Sequence, residues 1–175
     1  MMTIGHGTHS SDALIELLQR NGMRVLVDVR AFPRSRHNPQ FDRATVAKSL
    51  EATGIAYRWA QALGGRRTST GPSPNVALRH PAFRAYADYM LTAEFRLALD
   101  DAMREDDGAH TAVMCSESVW WRCHRRLIAD AVVLLRERPV AHIMPDGKVV
   151  AHRPTPGVRK NEDELIYDVE SRSAD

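Results

Sequence analysis

The sequence predicts a single α/β domain, built on a largely parallel sheet with helices on both faces and a C-terminal β-hairpin. The chain has 175 residues, 43% of them hydrophobic, which suits one domain with its own core. Near-continuous apolar runs such as MRVLVDV (23–29) and TAVMC (111–115) are typical of strands buried on both faces. Segments with helical periodicity separate these runs, and that alternation favours parallel strands joined by helices.

The boundaries of the elements follow from capping residues and from glycine and proline. Ser11 or Asp12 is expected to cap the first helix, and Asp42 the second. The predicted order is a strand at 2–4, a helix to 21, a strand at 23–29, a helix at 42–53, a strand at 55–59, a long loop at 63–80, helices at 81–90 and 93–104, a strand at 111–115, a helix at 118–138 and a hairpin turning at 146–147. We expect the domain to span 1–154 and a polar tail to occupy 155–175.

Composition excludes several classes of protein. The opening MMTIGHGTHSSD has no basic segment before an apolar stretch, so we expect no signal peptide. No apolar run approaches the ~20 residues that span a bilayer, so we expect no membrane association. The two cysteines both lie in CSESVWWRCHRR (115–126), which is not a disulfide framework. They favour a reducing compartment, and we expect a cytoplasmic protein.

Chemically active side chains follow several predicted strands at the points where those strands end. His6 follows the first strand, Asp28 and Arg30 end the second, and Cys115 and Glu117 follow the fourth. In open parallel sheets, ligands bind beyond the carboxyl ends of the strands. These side chains are therefore expected to share one rim, and His6, Asp28, Cys115 and Glu117 are the candidate catalytic residues.

Acid–base chemistry at the rim has two candidates. Glu117 can act as a general acid or base if burial beside Trp120 raises its pKa, although a first-turn acid often only complements a helix dipole. His6 lies between Gly5 and Gly7, which let the backbone approach a ligand closely.

Arginine clusters point to an anionic ligand. The net charge is only +2, so the total alone does not indicate a nucleic-acid partner. The guanidinium fork nevertheless suits phosphate or carboxylate, and an adjacent tryptophan can stack on a base. The clusters are Arg30, Arg34 and Arg36, then Arg66 and Arg67, then Arg122, Arg125 and Arg126. The predicted ligand-binding residues are Arg30, Arg34, Trp120, Arg122 and Arg125.

Cys115 is a candidate nucleophile. It precedes the predicted long helix, whose N-terminal N–H groups favour a thiolate and a bound anion. A cysteine, an anion-binding loop and an arginine also form the plan of cysteine phosphatases and rhodanese sulfurtransferases, and VLVDVR (25–30) resembles the opening of many rhodanese domains. Six residues separate Cys115 from Arg122, however, and the loop between them lacks glycine. A buried, inert thiol is the structural alternative.

Metal binding is not predicted, and the sequence names no cofactor. Cys115, Cys123, His124 and His6 are residue types that zinc accepts. On the predicted helix, adjacent residues such as Cys123 and His124 point about 100° apart, given ~3.6 residues per turn. Two such side chains rarely bind the same ion.

Five motifs together resemble the DUF488 family, a domain of unknown function. They are TIGHGTHS (3–10), VDVRAFPRS (27–35), GIAYRWAQALGG (54–65), CSESVWWRCHRRLIA (115–129) and HIMPDGKVVAH (142–152). The resemblance covers about 3–152 and implies the family's fold and a site that includes Cys115, Glu117, Cys123, His124 and Arg125. Relatives labelled with DNA repair imply a nucleotide or nucleic-acid partner. The family's opening motif reads TIGHS, so Gly7 stands here where relatives carry a hydroxyl.

The sequence thus predicts an enzyme-like domain that binds a phosphate-bearing ligand, a nucleotide or nucleic acid, at the carboxyl rim of its sheet. One alternative is a cysteine-dependent enzyme of the sulfurtransferase or phosphatase kind. Another is a nucleic-acid-binding module without catalytic activity. The residue pattern leaves open whether the protein is an enzyme.

Overall fold

The computed structural model describes residues 1–35, 37–104 and 110–169, and its centre is a six-stranded sheet. The strands are β1 (Met2–Gly5), β2 (Val25–Asp28), β3 (Ala56–Trp59), β4 (Thr111–Cys115), β5 (Ala141–Ile143) and β6 (Val149–Ala151). Their order is β3-β2-β4-β1-β5-β6, and all neighbours are parallel except β5 and β6. The predicted parallel sheet and the hairpin at its edge are confirmed.

In the described part of the chain, five α-helices cover the two faces of the sheet: α1 (Ser11–Arg20), α2 (Arg43–Glu51), α3 (Pro81–Met90), α4 (Ala93–Met103) and α5 (Arg125–Leu135). Helices α1 and α2 bury their apolar sides against one face, where Leu26 and Met114 point. Helices α3, α4 and α5 pack on the opposite face, against Val27 and Val113. None of the helices in the described ranges is long and apolar enough to cross a bilayer.

Capping explains where the first two helices begin. Ser10, one residue before the expected caps, accepts a hydrogen bond from the Ala13 amide at 3.2 Å and starts α1. Asp42 precedes α2 as predicted, but its carboxylate makes no cap hydrogen bond. It accepts instead from the Ser35 amide at 2.8 Å and so orders the loop after β2.

A second hairpin, which the sequence pattern did not predict, lies in the polar C-terminal segment. Strands β7 (Val158–Asn161) and β8 (Glu164–Tyr167) are antiparallel and pack beside α3 and α5. Tyr167 is fully buried, and its hydroxyl donates to Asp130 Oδ2 on α5 at 2.9 Å. This contact ties the C-terminal hairpin to the core.

The predicted helix at 118–138 is wrong in its first third. The chain forms a short 3₁₀ turn at Trp120–Arg122, Cys123 is extended (φ −126°, ψ 149°), and α5 begins only at Arg125. The buried Arg125 side chain reaches back to donate to the Glu117 carbonyl. Tertiary contacts of this kind override helix propensity, and Cys115 therefore does not stand at a helix N-terminus.

Candidate functional site

The carboxyl ends of β1, β2 and β4 open into one pocket of about 450 Å³, which we call the rim pocket. The structure brings together six of the nine residues predicted for the site as lining residues. They are His6, Arg30, Arg34, Cys115, Glu117 and Arg122. Asp28, Trp120 and Arg125 lie behind the pocket walls rather than among the lining residues.

One wall of the rim pocket is a buried ion pair. The Arg30 guanidinium donates to both carboxylate oxygens of Asp28, and its Nη2 also donates to the Phe41 carbonyl at 2.8 Å. The Tyr57 hydroxyl donates to Asp28 at 2.7 Å. Most N–H donors of the Arg30 guanidinium are used within the wall. Arg30 therefore has fewer hydrogen bonds to give a ligand than an unpaired arginine would have.

His6 is held in one orientation by its neighbours. Its Nδ1 lies 3.0 Å from the Gly7 carbonyl, which can only accept, so Nδ1 carries the hydrogen. Its Nε2 then accepts from Arg30 Nη1 at 3.3 Å, and the ring stacks on Phe41. Burial and the nearby Arg30 charge lower the pKa of His6 to about 4, so the ring is neutral at pH 7.

The floor of the rim pocket holds two thiols and an imidazole. Cys115 ends β4, and Cys123 and His124 precede α5; all three side chains are buried. The His124 Nδ1 lies 3.9 Å from the Cys115 sulfur and 3.6 Å from the Cys123 sulfur. The extended backbone at Cys123 turns its side chain and that of His124 toward the same point. The expected 100° divergence depended on a helix that does not form there.

The two thiols differ in acidity. A hydrogen bond with Cys123, together with burial, raises the pKa of Cys115 to about 12. Burial also disfavours the Cys123 thiolate, but the hydrogen bond from Cys115 and the charge of Arg125 outweigh it and lower the pKa of Cys123 to about 6. Arg125 Nε lies 3.4 Å from the Cys123 sulfur. The more acidic thiol is therefore Cys123, whereas the sequence pointed to Cys115.

The loop after β4 folds back over the end of β1. Arg125 donates to the Glu117 carbonyl, and the Gly7 amide donates to the Ser116 carbonyl at 3.0 Å. Glu117 is exposed at the mouth, so the burial beside Trp120 on which its acid–base role depended does not occur. Gly7 has φ +49°, and a methyl group there would lie 2.3 Å from Ser118 Oγ. The Ser118 hydroxyl thus occupies the space that a side chain at position 7 would need.

Trp120 faces a buried polar chain instead of the rim pocket. Its ring stacks on His142 with centroids 4.2 Å apart, whereas Trp121 is 46% exposed. His142 hydrogen-bonds with Thr3 Oγ1 at 2.7 Å and with His152 at 2.9 Å. His152 continues the chain to the buried carboxylate of Asp130, whose Oδ1 lies 2.9 Å away. This chain links β1 and β5 to α5 behind the site.

Acid should destabilise the fold through His142. Burial, followed by the charges of His152 and Arg125, lowers its pKa from 6.5 to about 3. Between these two values the unfolded chain binds a proton at His142 that the folded protein does not. The free energy of unfolding is therefore unaffected by this group above pH 6.5 and falls as the pH drops from 6.5 toward 3. Within that window each pH unit costs about 1.4 kcal/mol.

Denaturant titrations between roughly pH 7 and pH 4 measure this loss. His142→Gln should be less stable at neutral pH but should show a flatter pH dependence than the wild type. His37→Gln, at an exposed position, is the matched control and should keep the wild-type slope. Equal slopes for wild type and His142→Gln would contradict the assignment.

Sequence reasoning missed part of the rim pocket. Phe32 lines it with 65% of its side chain exposed, and Arg66 lies over the Phe32 ring at 5.5 Å from its centroid. A large apolar residue within a polar loop was the available signal for Phe32. Arg67, by contrast, donates to the Gly64 carbonyl and is structural. Arg36 lies outside the described residues.

A family model described as "Domain of unknown function DUF488" matches residues 10–132. Searches of curated proteins and of solved structures gave no match. The matched range contains β2, β3 and β4 and every lining residue of the rim pocket except His6 and Gly7.

Proposed function

The chain belongs to the DUF488 family, which is defined without a known function, and from its site we propose that the rim pocket binds a phosphate-bearing ligand of the nucleotide class. The observation that carries this proposal is a set of arginines at the mouth. Arg34, Arg66 and Arg122 line the pocket and are exposed. Within the described ranges, none of them forms a salt bridge with a carboxylate. Three arginines that pair with no carboxylate of the described residues favour a multiply charged anion.

The size and lining of the pocket support a nucleotide. Its volume of about 450 Å³ falls in the range of small-molecule sites, roughly 300–1,000 Å³. Phe32 presents an exposed ring at the mouth, beside the arginines, where a base can stack. Glu117 is the one acid among the described lining residues, so the cations dominate the mouth.

The floor residues are the candidates for chemistry on the bound ligand. His6 and Cys115 face the pocket, with Glu117 at its mouth, whereas Asp28 is best assigned as a positioning residue for Arg30. The contact of Arg125 Nε with the Cys123 sulfur at 3.4 Å supports the alternative of a thiol enzyme. In that alternative Cys123 replaces Cys115 as the nucleophile. Both cysteines are free, which supports a reducing, cytoplasmic location.

Calorimetric titration with inorganic phosphate and with adenosine monophosphate tests the proposal. Arg34→Gln and Arg122→Gln should each weaken binding of both probes by about tenfold, since a hydrogen bond to a charged group contributes about 1.5–3 kcal/mol. Phe32→Ala should weaken the nucleotide but leave phosphate binding unchanged. Arg20→Gln, on the exposed face of α1 and outside the pocket, is the matched control and should bind both probes normally.

Three outcomes would contradict binding of a nucleotide in the rim pocket. Binding of neither probe by the wild type would overturn the proposal, as would an equal loss in Arg20→Gln and Arg122→Gln. A single-stranded oligonucleotide that binds through Arg34 and Arg122, while both small probes fail, would establish the nucleic-acid-binding alternative instead. Such binding should weaken steeply with salt.

A further inference from the structure

The floor of the rim pocket brings together three side chains that metals accept as ligands. One ligand atom from each of Cys115, Cys123 and His124 lies within 4.8 Å of the other two. They come from the end of β4 and from the two residues before α5, so well-packed elements fix both sides of the cluster. Zinc is commonly bound by this combination of two cysteines and one histidine.

The spacing of the ligand atoms matches a tetrahedral ion. With zinc–sulfur bonds near 2.3 Å and zinc–nitrogen bonds near 2.0 Å, tetrahedral angles place a sulfur and a nitrogen ligand about 3.5 Å apart. The observed separations from His124 Nδ1 are 3.6 Å to the Cys123 sulfur and 3.9 Å to the Cys115 sulfur. The His124 nitrogen thus needs to move little relative to either sulfur, and the two sulfurs lie within 4.8 Å of each other.

His124 presents the correct nitrogen to the two sulfurs. Its Nε2 lies 3.2 Å from the Val29 carbonyl, and since a carbonyl only accepts, Nε2 carries the hydrogen. The lone pair of Nδ1 then points toward the thiols. Metal-binding histidines usually donate their second ring nitrogen to a carbonyl or carboxylate in this way. Tyr86, whose ring centroid is 5.0 Å away, packs against the imidazole and helps to fix its plane.

Arg125 provides an outer partner for the cluster. Its Nε lies 3.4 Å from the Cys123 sulfur and donates to it, while Nη2 donates to the Glu117 carbonyl. Such a donor stabilises negative charge on a sulfur that also binds a metal, and it orients the free lone pairs of that sulfur. The arginine is itself buried and fixed by the loop.

The cluster has three ligands, and all three line the rim pocket. No fourth histidine, cysteine or acid from the described ranges joins the group. Structural zinc sites are closed by four protein ligands, whereas sites with three keep one position for water or a substrate oxygen. A position left open here would face the pocket.

We propose that Cys115, Cys123 and His124 bind one Zn²⁺ ion, with the fourth coordination position directed into the rim pocket. Binding forms two sulfur bonds and one nitrogen bond to the ion, and any proton that either thiol still holds passes to the buffer. An oxygen of a bound anion, such as a phosphate, can then occupy the open position. Metal binding does not depend on the nucleotide proposal, because none of Arg34, Arg66 and Arg122 is among the three ligands.

The test uses the full chain, reduced and freed of metal with a chelator. Zn²⁺ uptake is measured by elemental analysis after dialysis, and Co²⁺ is used as a spectroscopic probe. We expect one equivalent of Zn²⁺, the visible absorption of tetrahedral Co²⁺, and a sulfur-to-cobalt charge-transfer band. Bound Zn²⁺ should also protect both cysteines from iodoacetamide.

Matched variants make the result specific. Cys123→Ala and His124→Gln should lower Zn²⁺ affinity by more than the roughly 100-fold that loss of an outer partner costs at most. His9→Gln, outside the cluster, should bind as the wild type does. The proposal is overturned if the wild type retains no zinc, if its Co²⁺ spectrum shows no sulfur band, or if His124→Gln binds zinc as tightly as the wild type. Because these readouts need no phosphate ligand, they fail or succeed independently of the nucleotide titrations.

Discussion

Replacing Asp28 with alanine should lower the free energy of unfolding by about 3–5 kcal/mol, the usual cost of leaving a buried charge without its partner. Asp28 is fully buried, and Arg30 beside it is only 5% exposed. The substitution removes the acceptor for three donors of Arg30, counting its amide, and for the Tyr57 hydroxyl. The wall of the rim pocket should therefore lose its order along with its stability.

Urea unfolding of matched variants separates the buried charge from other effects. The double variant Asp28→Ala/Arg30→Met removes both charges and should recover most of the lost stability, because no buried ion remains unpaired. Asp168→Ala breaks a similar Asp–Arg pair at the surface, between Asp168 and Arg159, and should change stability little. A double variant no more stable than Asp28→Ala would show that the ion pair is not the cause.

Replacing Gly5 with alanine should lower the free energy of unfolding by a similar amount. The added methyl group would lie 1.8 Å from the Glu117 carbonyl oxygen and 2.8 Å from Arg125 Nη2. Neither group can withdraw easily, since Arg125 is buried and donates to that carbonyl. Overpacking of a rigid interior typically costs about 1–3 kcal/mol, and loss of the Arg125 hydrogen bond adds to that cost.

Thermal unfolding, monitored by circular dichroism, measures the change. Gly71→Ala is the matched control, since an alanine there meets nothing within 4 Å, and it should melt close to the wild type. If Gly5→Ala does not accumulate as folded protein while Gly71→Ala does, the prediction also holds. Equal melting temperatures for the two variants would show that the loop after β4 can move away from β1.

Much of the fold could be predicted because its central strands β2 and β4 are buried on both faces. Strands β2 and β4 are almost entirely apolar, and such runs are hard to mistake. The hairpin of β7 and β8 was missed because only Leu165 and Tyr167 are buried in it, while its other residues are polar or partly exposed. Two inward side chains within a charged segment give too little periodicity to identify a strand.

The location of the site followed from topology, but its arrangement did not. Parallel strands place His6 and Cys115 at one edge whatever the details of the loops. The relation between Cys123 and His124 depends on the break before α5, which the buried Arg125 imposes through a contact with the Glu117 carbonyl. A side-chain contact of this kind leaves no periodic signal in the sequence, so the pattern indicated a continuous helix.

The position of β1 in the middle of the sheet sets the order in which the strands can pair while the chain is being synthesised. β1 leaves the ribosome first, yet its two neighbours, β4 and β5, begin only at Thr111 and Ala141. β2 and β3 can pair early, while β1 and the histidine that follows it wait until β4 has been made. The nascent chain therefore carries β1 unpaired until Thr111–Cys115 has emerged, and the rim pocket forms only as the sheet closes.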